Sequence, residues 1–314
     1  MRFLIKEAYA KKVSEKLSVK DKKLIQLLIQ DARTPITQLA KKVSISKSAV
    51  IQKISSLKKR GILMEPILYS KIKTHETSFY VFDILTQIGM GNKKITEELL
   101  EIEEIVVVLW YNGNYNLLLA FNTNDPSEII EKIEKVIEIK KLRIRKVIDN
   151  WFHPPYLFKE ISDKKVEFKK VNLKIDEIDK KILRVLEDNP LASFVEISTK
   201  TRLAAQTIKK HLNYLEKSGI IIAYHFFPEV WLCGRNLISI NLSVKGKKEI
   251  EKLVKYLLTI SEVGNIWEFD DEWNINVVLW VKEQLEVNKI INHITSNFKI
   301  LEYDISVLAA MVGK

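Results

Sequence analysis

The sequence predicts an α+β fold, a tandem duplication of a winged helix-turn-helix followed by a ferredoxin-like βαββαβ module. Three observations predict it. Shifting the chain so that Asp21 meets Asp179 aligns the apolar residues of its two halves. Each half begins with apolar residues at helical spacing. Each half ends with alternating apolar stretches separated by turn residues, which is typical of strands.

The repeat continues without a gap from Gly61 with Gly219 to the segments NYNLLLAF (114–121) and EWNINVVL (272–279). So long a period indicates duplication of a domain pair. The predicted divisions are an N-terminal helical extension at 1–20, winged helix one at 21–73, βαββαβ module one at 76–150, a linker at 151–173, winged helix two at 174–230 and module two at 235–314.

The first winged helix is predicted from three helical stretches. Residues 21–30 and 37–43 form the first two helices. The third runs from Ser46, a good N-cap, to Leu57, and Gly61 ends it. The apolar run after this glycine predicts a β-ribbon that closes the domain.

The module after it is predicted as strand, helix, strand, strand, helix, strand. Asn112-Gly113 marks a hairpin turn, and Asp125-Pro126 opens the second helix. In the second copy the last strand is expected to slip by one residue. One sheet face of each module stays open, so the two copies are expected to cover each other as an intrachain pseudo-dimer.

Charge is concentrated at one end of the chain. The net charge is +11, yet residues 1–73 hold 18 Lys and Arg against 5 Asp and Glu. A basic excess confined to one small segment predicts a face for a polyanion.

The single cysteine, Cys233, excludes an intramolecular disulfide and a cysteine-based zinc site, and indicates a reducing compartment. The N-terminus has no signal-peptide pattern, and no apolar run approaches the length of about 20 residues that spans a bilayer. A cytoplasmic protein without a membrane partner is expected.

The first unit reads LIQDARTPITQLAKKVSISKSAVIQKISSLKKRGIL, followed by a βαββαβ module. In this order the two parts resemble the Lrp/AsnC family of bacterial and archaeal transcription regulators. The second unit resembles the family only in the positions of its apolar residues. The resemblance covers nearly the whole chain, twice. It implies double-stranded DNA as a partner, pairing of the βαββαβ modules, and assembly into a homodimer or larger oligomer.

In a helix-turn-helix the third helix enters the major groove. With Val50, Ile54 and Leu57 turned inward, base-edge contacts are predicted for outward side chains and phosphate contacts for flanking cations. The predicted DNA-binding residues are Ser46, Lys47, Ser48, Gln52, Lys53, Ser55, Lys58, Lys59 and Arg60.

The second winged helix is predicted to be a weaker DNA reader, because residues 174–228 hold 9 basic and 7 acidic residues and Ala204 replaces the Ser46 cap. Its secondary candidates are Gln206, Lys209, Lys210 and Asn213. Retention of this copy for packing alone is the other interpretation. Two chains could then combine their first recognition helices on a palindrome.

The family's small-molecule effectors bind where two modules meet, near a hairpin with the pattern G-x-x-D. Here the equivalent positions are Gly113 to Asn116 and Asp271 to Asn274, and asparagine in place of aspartate disfavours an amino-acid effector. The candidate effector residues are Tyr111, Asn114, Asn116, Trp267, Asp271 and Asn274.

Two other functions share this plan. Sirohaem decarboxylases carry a Tyr-Asn pair that Tyr115-Asn116 resembles, but the hairpins here contain neither His nor Arg. A protein-interaction scaffold is disfavoured by the basic first domain. The histidines have no metal or triad spacing, and no phosphate or dinucleotide fingerprint occurs. We therefore predict no enzyme activity, no cofactor and no metal.

Overall fold

A computed structural model describes residues 3–4, 17–71, 78–89, 91–152, 157–158, 174–229 and 233–313. They form two compact units. One contains both winged helices, and the other contains both βαββαβ modules. The tandem α+β architecture predicted from the sequence is confirmed.

Each winged helix has three helices and one strand. In the first, Ser18 caps α1 in a capping box with Asp21, and Leu24 and Leu28 are buried. The second repeats this with Asp176 as the cap and Ile182 and Leu186 in the core. The elements are α1 (Val19–Gln30), α2 (Ile36–Val43), α3 (Lys47–Lys59), β2 (Leu63–Ser70), α6 (Glu177–Asp188), α7 (Phe194–Thr201), α8 (Ala205–Lys217) and β7 (Ile221–Pro228).

The predicted ribbon differs from the observed one. Each winged helix supplies only one strand, and β2 pairs antiparallel with β7 of the other copy. A single strand leaves its backbone groups unpaired, and the duplicated copy satisfies them. The two winged helices therefore share one two-stranded sheet.

Among the described residues the βαββαβ unit contains a nine-stranded sheet, to which the two modules contribute eight strands. The sheet closes on itself, because β11 (Ile300–Gly313) pairs with both β4 (Ile105–Asn112) and β8 (Asn236–Val244). The last strand of each module pairs with a strand of the other module: β6 (Lys141–Phe152) with β9 (Val263–Phe269), and β11 with β4. The elements are β3 (Ser78–Leu85), α4 (Lys93–Glu101), β4 (Ile105–Asn112), β5 (Leu117–Thr123), α5 (Pro126–Glu134), β6 (Lys141–Phe152), β8 (Asn236–Val244), α9 (Lys247–Leu257), β9 (Val263–Phe269), β10 (Ile275–Val281), α10 (Gln284–Asn297) and β11 (Ile300–Gly313).

Strand alternation separates two faces of this closed sheet. Phe82 and Ile84 pack with α4 and α5 in an apolar core. Their neighbours Val81 and Asp83 belong to the opposite face, where the two modules meet. Gly113 is required in the hairpin turn because a Cβ there would lie 2.2 Å from the Ser306 hydroxyl.

The last strand slips by three residues, and the expected slip of one is wrong. Phe82 pairs with Ile144, whereas its equivalent Ile240 pairs with Ile305. An irregularity between Ile300 and Glu302 absorbs part of this displacement. Because the shift is odd, it exchanges the residues that face the junction of the two modules.

Two boundary predictions also need correction. Residues 3–4 form β1, a short strand paired with β11, so the helical extension predicted over 1–20 is wrong there. Val19 already belongs to α1, and residues 5–16 lie outside the described residues. Trp151 and Phe152 complete β6 and do not belong to the predicted linker, while 153–156 and 159–173 lie outside the described residues.

No helix among the described residues has the length and apolarity needed to span a bilayer.

His225 lies fully buried in the shared two-stranded sheet, where its Nδ1–H donates to the Ile29 carbonyl at 2.8 Å. Burial disfavours the imidazolium and lowers the pKa of His225 to about 4. Between that pH and about 6.5 the unfolded chain binds a proton that the folded one does not. The free energy of unfolding is therefore expected to fall by about 3 kcal/mol as the pH drops from about 6.5 to about 4.

The measurement is denaturant unfolding of the wild type and of His225→Phe at several pH values from about 4 to 7. The wild type should lose more stability on acidification than the variant. Parallel pH profiles would show that the buried imidazole does not carry the effect.

Candidate nucleic-acid interface

The exposed face of α3 is polar and basic. Lys47, Ser48, Gln52 and Ser55 are all exposed, and Ile51 is 56% exposed among them. Val50 and Leu57 are buried on the opposite face, and Ile54 is half-buried. The amphipathic spacing thus turns the predicted base-contacting side chains to solvent together.

Both ends of α3 are stabilised as predicted. The Ser46 hydroxyl accepts from the Ala49 N–H at 3.1 Å, which makes Ser46 the N-cap. At the other end Gly61 has φ of +71°, and Ile62 N–H donates to the Leu57 carbonyl. This Schellman end needs a left-handed residue, which explains the glycine.

Lys53 belongs to an ion pair inside the domain. Its Nζ donates to Asp21 Oδ1 at 2.7 Å and ties α3 to the first turn of α1. Burial alone would raise the pKa of Asp21, but hydrogen bonds from Lys53 and Ser18 outweigh it and hold that pKa below its usual value. The predicted phosphate contact by Lys53 therefore competes with a structural contact that the sequence did not indicate.

Lys58 is similarly engaged. Its Nζ lies 3.0 Å from Glu65 Oε2 and 5.2 Å from the centre of the Phe226 ring. Lys59 and Arg60 follow it on the exposed end of the helix. The basic end of α3 thus holds two exposed cations, Lys59 and Arg60, next to the half-buried Lys58.

The equivalent helix α8 exposes Gln206, Lys209, Lys210 and Asn213. Ala204 holds its N-cap position, where a methyl group cannot accept a hydrogen bond. The exposed face of α3 is thus repeated in α8, but different side chains occupy it.

Asp176, Asp179 and His211 form a cluster that the sequence did not reveal, with ligand-type atoms within 4.8 Å of one another. His211 Nδ1 lies 2.8 Å from Asp179 Oδ1. Asp179 and His211 are the counterparts of Asp21 and Lys53 under the repeat. The pair therefore performs the same tie between first and third helix, and Asp176 caps α6.

The caps yield a matched pair of predictions. Ser46→Ala is expected to lower the free energy of unfolding of the winged-helix unit by about 1 kcal/mol, because the Ala49 N–H loses its acceptor. Ala204→Ser should raise it by a similar or smaller amount, because the empty cap position gains an acceptor. Denaturant unfolding measures both. Two changes of the same sign would contradict the assignment of the caps.

Two of the candidate effector residues have structural hydrogen bonds. The Asn116 amide accepts from the Thr86 N–H at 2.9 Å and donates to the Thr86 carbonyl at 2.8 Å. Asn274 makes the same pair of bonds with Val244. In each module this asparagine fastens the hairpin to the end of the first strand.

The other four candidates have separate contacts. Tyr111 is buried, and burial raises the pKa of its hydroxyl. Trp267 stacks on Phe79 with ring centres 5.9 Å apart. Asn114 is exposed and donates to Asp304 at 2.7 Å, while Asp271 is half-buried and accepts from the next backbone N–H.

Two arginines of β6 fill the junction of the modules, and sequence reasoning missed both. The Arg143 guanidinium lies 4.8 Å from the Tyr115 ring centre and 5.0 Å from that of Trp273. Arg145 is fully buried and pairs with Asp83 at 2.7 Å and with Asn241 at 3.0 Å. Nothing in the local pattern of β6 distinguishes these arginines from the solvent-facing Lys141 and Lys146.

The fold and this basic face define a duplicated winged helix-turn-helix protein. The AsnC-type helix-turn-helix domain matches residues 17–58, and a winged helix-turn-helix DNA-binding family matches residues 175–222. The HTH-type transcriptional regulator FL11 of Pyrococcus furiosus is 30% identical over 126 residues, which are 39% of this chain and 81% of the relative. The chain belongs to the Lrp/AsnC family of regulators.

A more distant relative agrees with this membership. The regulatory protein AsnC of Haemophilus influenzae is 23% identical over 125 residues, 38% of this chain and 83% of the relative. Each of these relatives spans about the length of one repeat. The crystal structure of the siroheme decarboxylase NirDL is similar over 93% of this chain and 91% of its own, with a TM-score of 0.55 and 13% identity. At that identity the likeness shows a shared fold.

Proposed function

We propose that the chain is a sequence-specific transcription regulator that binds double-stranded DNA through the major groove with α3. The observation that carries this proposal is the exposed face of α3, on which Lys47, Ser48, Gln52 and Ser55 point outward together. Lysine pairs with guanine, glutamine with adenine, and serine with either.

The charge of α3 also supports double-stranded DNA as the partner. The stretch 46–60 holds five basic residues and no acidic ones, which suits a helix lying between phosphate strands. Family membership adds that similar chains are named transcriptional regulators. The βαββαβ modules would then serve as the scaffold that pairs the two halves.

Electrophoretic mobility shift with fragments of prokaryotic genomic DNA tests the proposal. Affinity is expected to fall by about 10²- to 10³-fold between about 50 and about 200 mM salt, as for roughly five phosphate contacts. Charge reversal at Lys59→Glu with Arg60→Glu should weaken binding to every fragment. Absence of a shift at low salt would contradict the proposal.

An effector at the hairpins stays a prediction, as does assembly beyond the single chain. Asn116 and Asn274 are committed to the backbone, so Asn114 and Asp271 are the candidates that could still reach a ligand. Alanine at both positions should abolish any effector dependence of DNA binding without changing effector-free affinity.

A sirohaem-decarboxylase-like enzyme is the second candidate, favoured by one observation. Arg143 lies between Tyr115 and Trp273 and supplies the cation that the hairpin sequences lack. Anaerobic titration with sirohaem, followed by absorbance and product mass, tests it. We expect neither a spectral shift nor loss of carbon dioxide, and turnover abolished by Arg143→Ala would favour the enzyme.

A further inference from the structure

The pairing of β2 with β7 has local twofold symmetry. Ile67 pairs with His225, its own counterpart in the repeat. In an antiparallel pair, equivalent residues can face each other only across a twofold axis. The flanking backbone bonds obey the same symmetry, since Lys71 N–H donates to Ile220 and Glu229 N–H to Ile62, both at 2.8 Å.

The two recognition helices are therefore symmetry-related within one chain. Further bonds hold the domains together, because Ala32 N–H donates to the Tyr224 carbonyl at 2.8 Å and Arg33 Nη2 donates to the Ala192 carbonyl at 2.6 Å. Homodimeric helix-turn-helix proteins use such an axis to place two helices in successive major grooves, about one helical turn apart.

The side chains do not follow this symmetry. Ser48 corresponds to Gln206, Gln52 to Lys210 and Ser55 to Asn213, and all of these side chains are exposed. At the remaining outward positions Lys47 and Ile51 correspond to Ala205 and Lys209. None of the five pairs presents the same chemistry to a base edge.

We propose that one chain binds a single asymmetric operator, in which α3 and α8 contact two different half-sites. The inference rests on the proposed function and specifies its DNA partner. The half-site under α8 should favour adenine opposite the amides of Gln206 and Asn213, with Lys209 and Lys210 on phosphates. It should carry less sequence information than the half-site under α3.

The alternative is a palindrome held by two chains, each contributing only α3. That arrangement leaves α8 without a role on DNA, although the same local axis presents it and its polar side chains are exposed. The symmetry of the shared sheet already supplies a second reading helix, so a second chain is not needed.

Selection from a pool of random duplexes of about 40 base pairs, which can hold two half-sites one turn apart, tests the proposal with the full chain. We expect a consensus with two unlike halves and one chain per duplex by native mass spectrometry. The converted operator, in which the weaker half is replaced by an inverted copy of the stronger, should bind about 10- to 100-fold more weakly.

Matched variants assign the halves. Gln206→Ala with Asn213→Ala should relax base preference in one half only, and Ser48→Ala with Ser55→Ala in the other. Thermal unfolding of each variant confirms that the domains stay folded.

The outcomes separate the inference from the proposed function. A palindromic consensus, tighter binding of the converted operator, or an unchanged consensus for a folded Gln206→Ala with Asn213→Ala variant would overturn the inference alone. Failure to enrich any DNA would overturn the proposed function and the inference with it.

Discussion

Replacing Arg145 with alanine is expected to lower the free energy of unfolding of the βαββαβ unit by about 3–5 kcal/mol. Its guanidinium is fully buried, lies 4.1 Å from the Phe269 ring centre and pairs with Asp83 and Asn241. The variant leaves the Asp83 carboxylate buried without its cation, which costs more than the lost pair contributes.

A double variant separates charge from packing. Arg145→Met keeps most of the side-chain volume but leaves the Asp83 carboxylate unpaired. Arg145→Met with Asp83→Asn removes both charges at that volume and should be more stable than Arg145→Met alone. Calorimetry of the full chain, with hydrogen exchange on β6 to assign the transition, measures both. Equal losses in Arg145→Met and in the double variant would contradict a cost of the unpaired buried carboxylate.

The pH dependence of Arg145→Ala provides a second signature. Burial raises the pKa of Asp83, and the guanidinium groups of Arg145 and Arg143 oppose that rise. Without Arg145 the pKa should rise further, so the folded variant holds a proton that the unfolded chain has released. The stability of the variant should therefore fall as the pH increases above about 4, and this fall should continue to a higher pH than in the wild type.

Local features of the sequence predicted the elements and the face of α3 because they depend on nearby residues. Helical spacing located Val50 and Leu57 inside, and the cap and the terminal glycine located both ends of the helix. The 158-residue repeat then predicted the second copy. Such signals are contained within one turn or one hairpin, where spacing determines which side chains face the core.

Pairings between distant segments could not be predicted in this way. The sharing of one sheet by β2 and β7 and the Arg145–Asn241 hydrogen bond depend on contacts across the duplication. The three-residue slip of β11 and the Arg145–Asp83 pair depend on strands that are far apart in sequence within one module. The Lys53–Asp21 pair spans 32 residues, so a lysine counted as a phosphate ligand carries a structural contact as well. Charge counts cannot distinguish these roles, because they contain no geometry.

Lys47→Ala with Gln52→Ala is expected to abolish site-specific DNA binding, with a loss of about 10²- to 10⁴-fold on the selected operator. Each well-formed contact to a base edge contributes about 1–3 kcal/mol of discrimination. Both side chains are exposed on α3, so the fold should survive their removal. Fluorescence anisotropy on specific and random duplexes gives the two affinities, and only the first should fall steeply.

Lys209→Ala with Lys210→Ala is the matched change on α8, where the first position corresponds to Ile51 and the second to Gln52. If these lysines contact phosphates, specific and random duplexes should weaken together, by about tenfold, and the salt dependence should become shallower. The two variants then differ in kind, since one removes discrimination and the other removes charge. Equal losses of discrimination from both would mean that the two helices read bases alike, despite the different side chains that they expose.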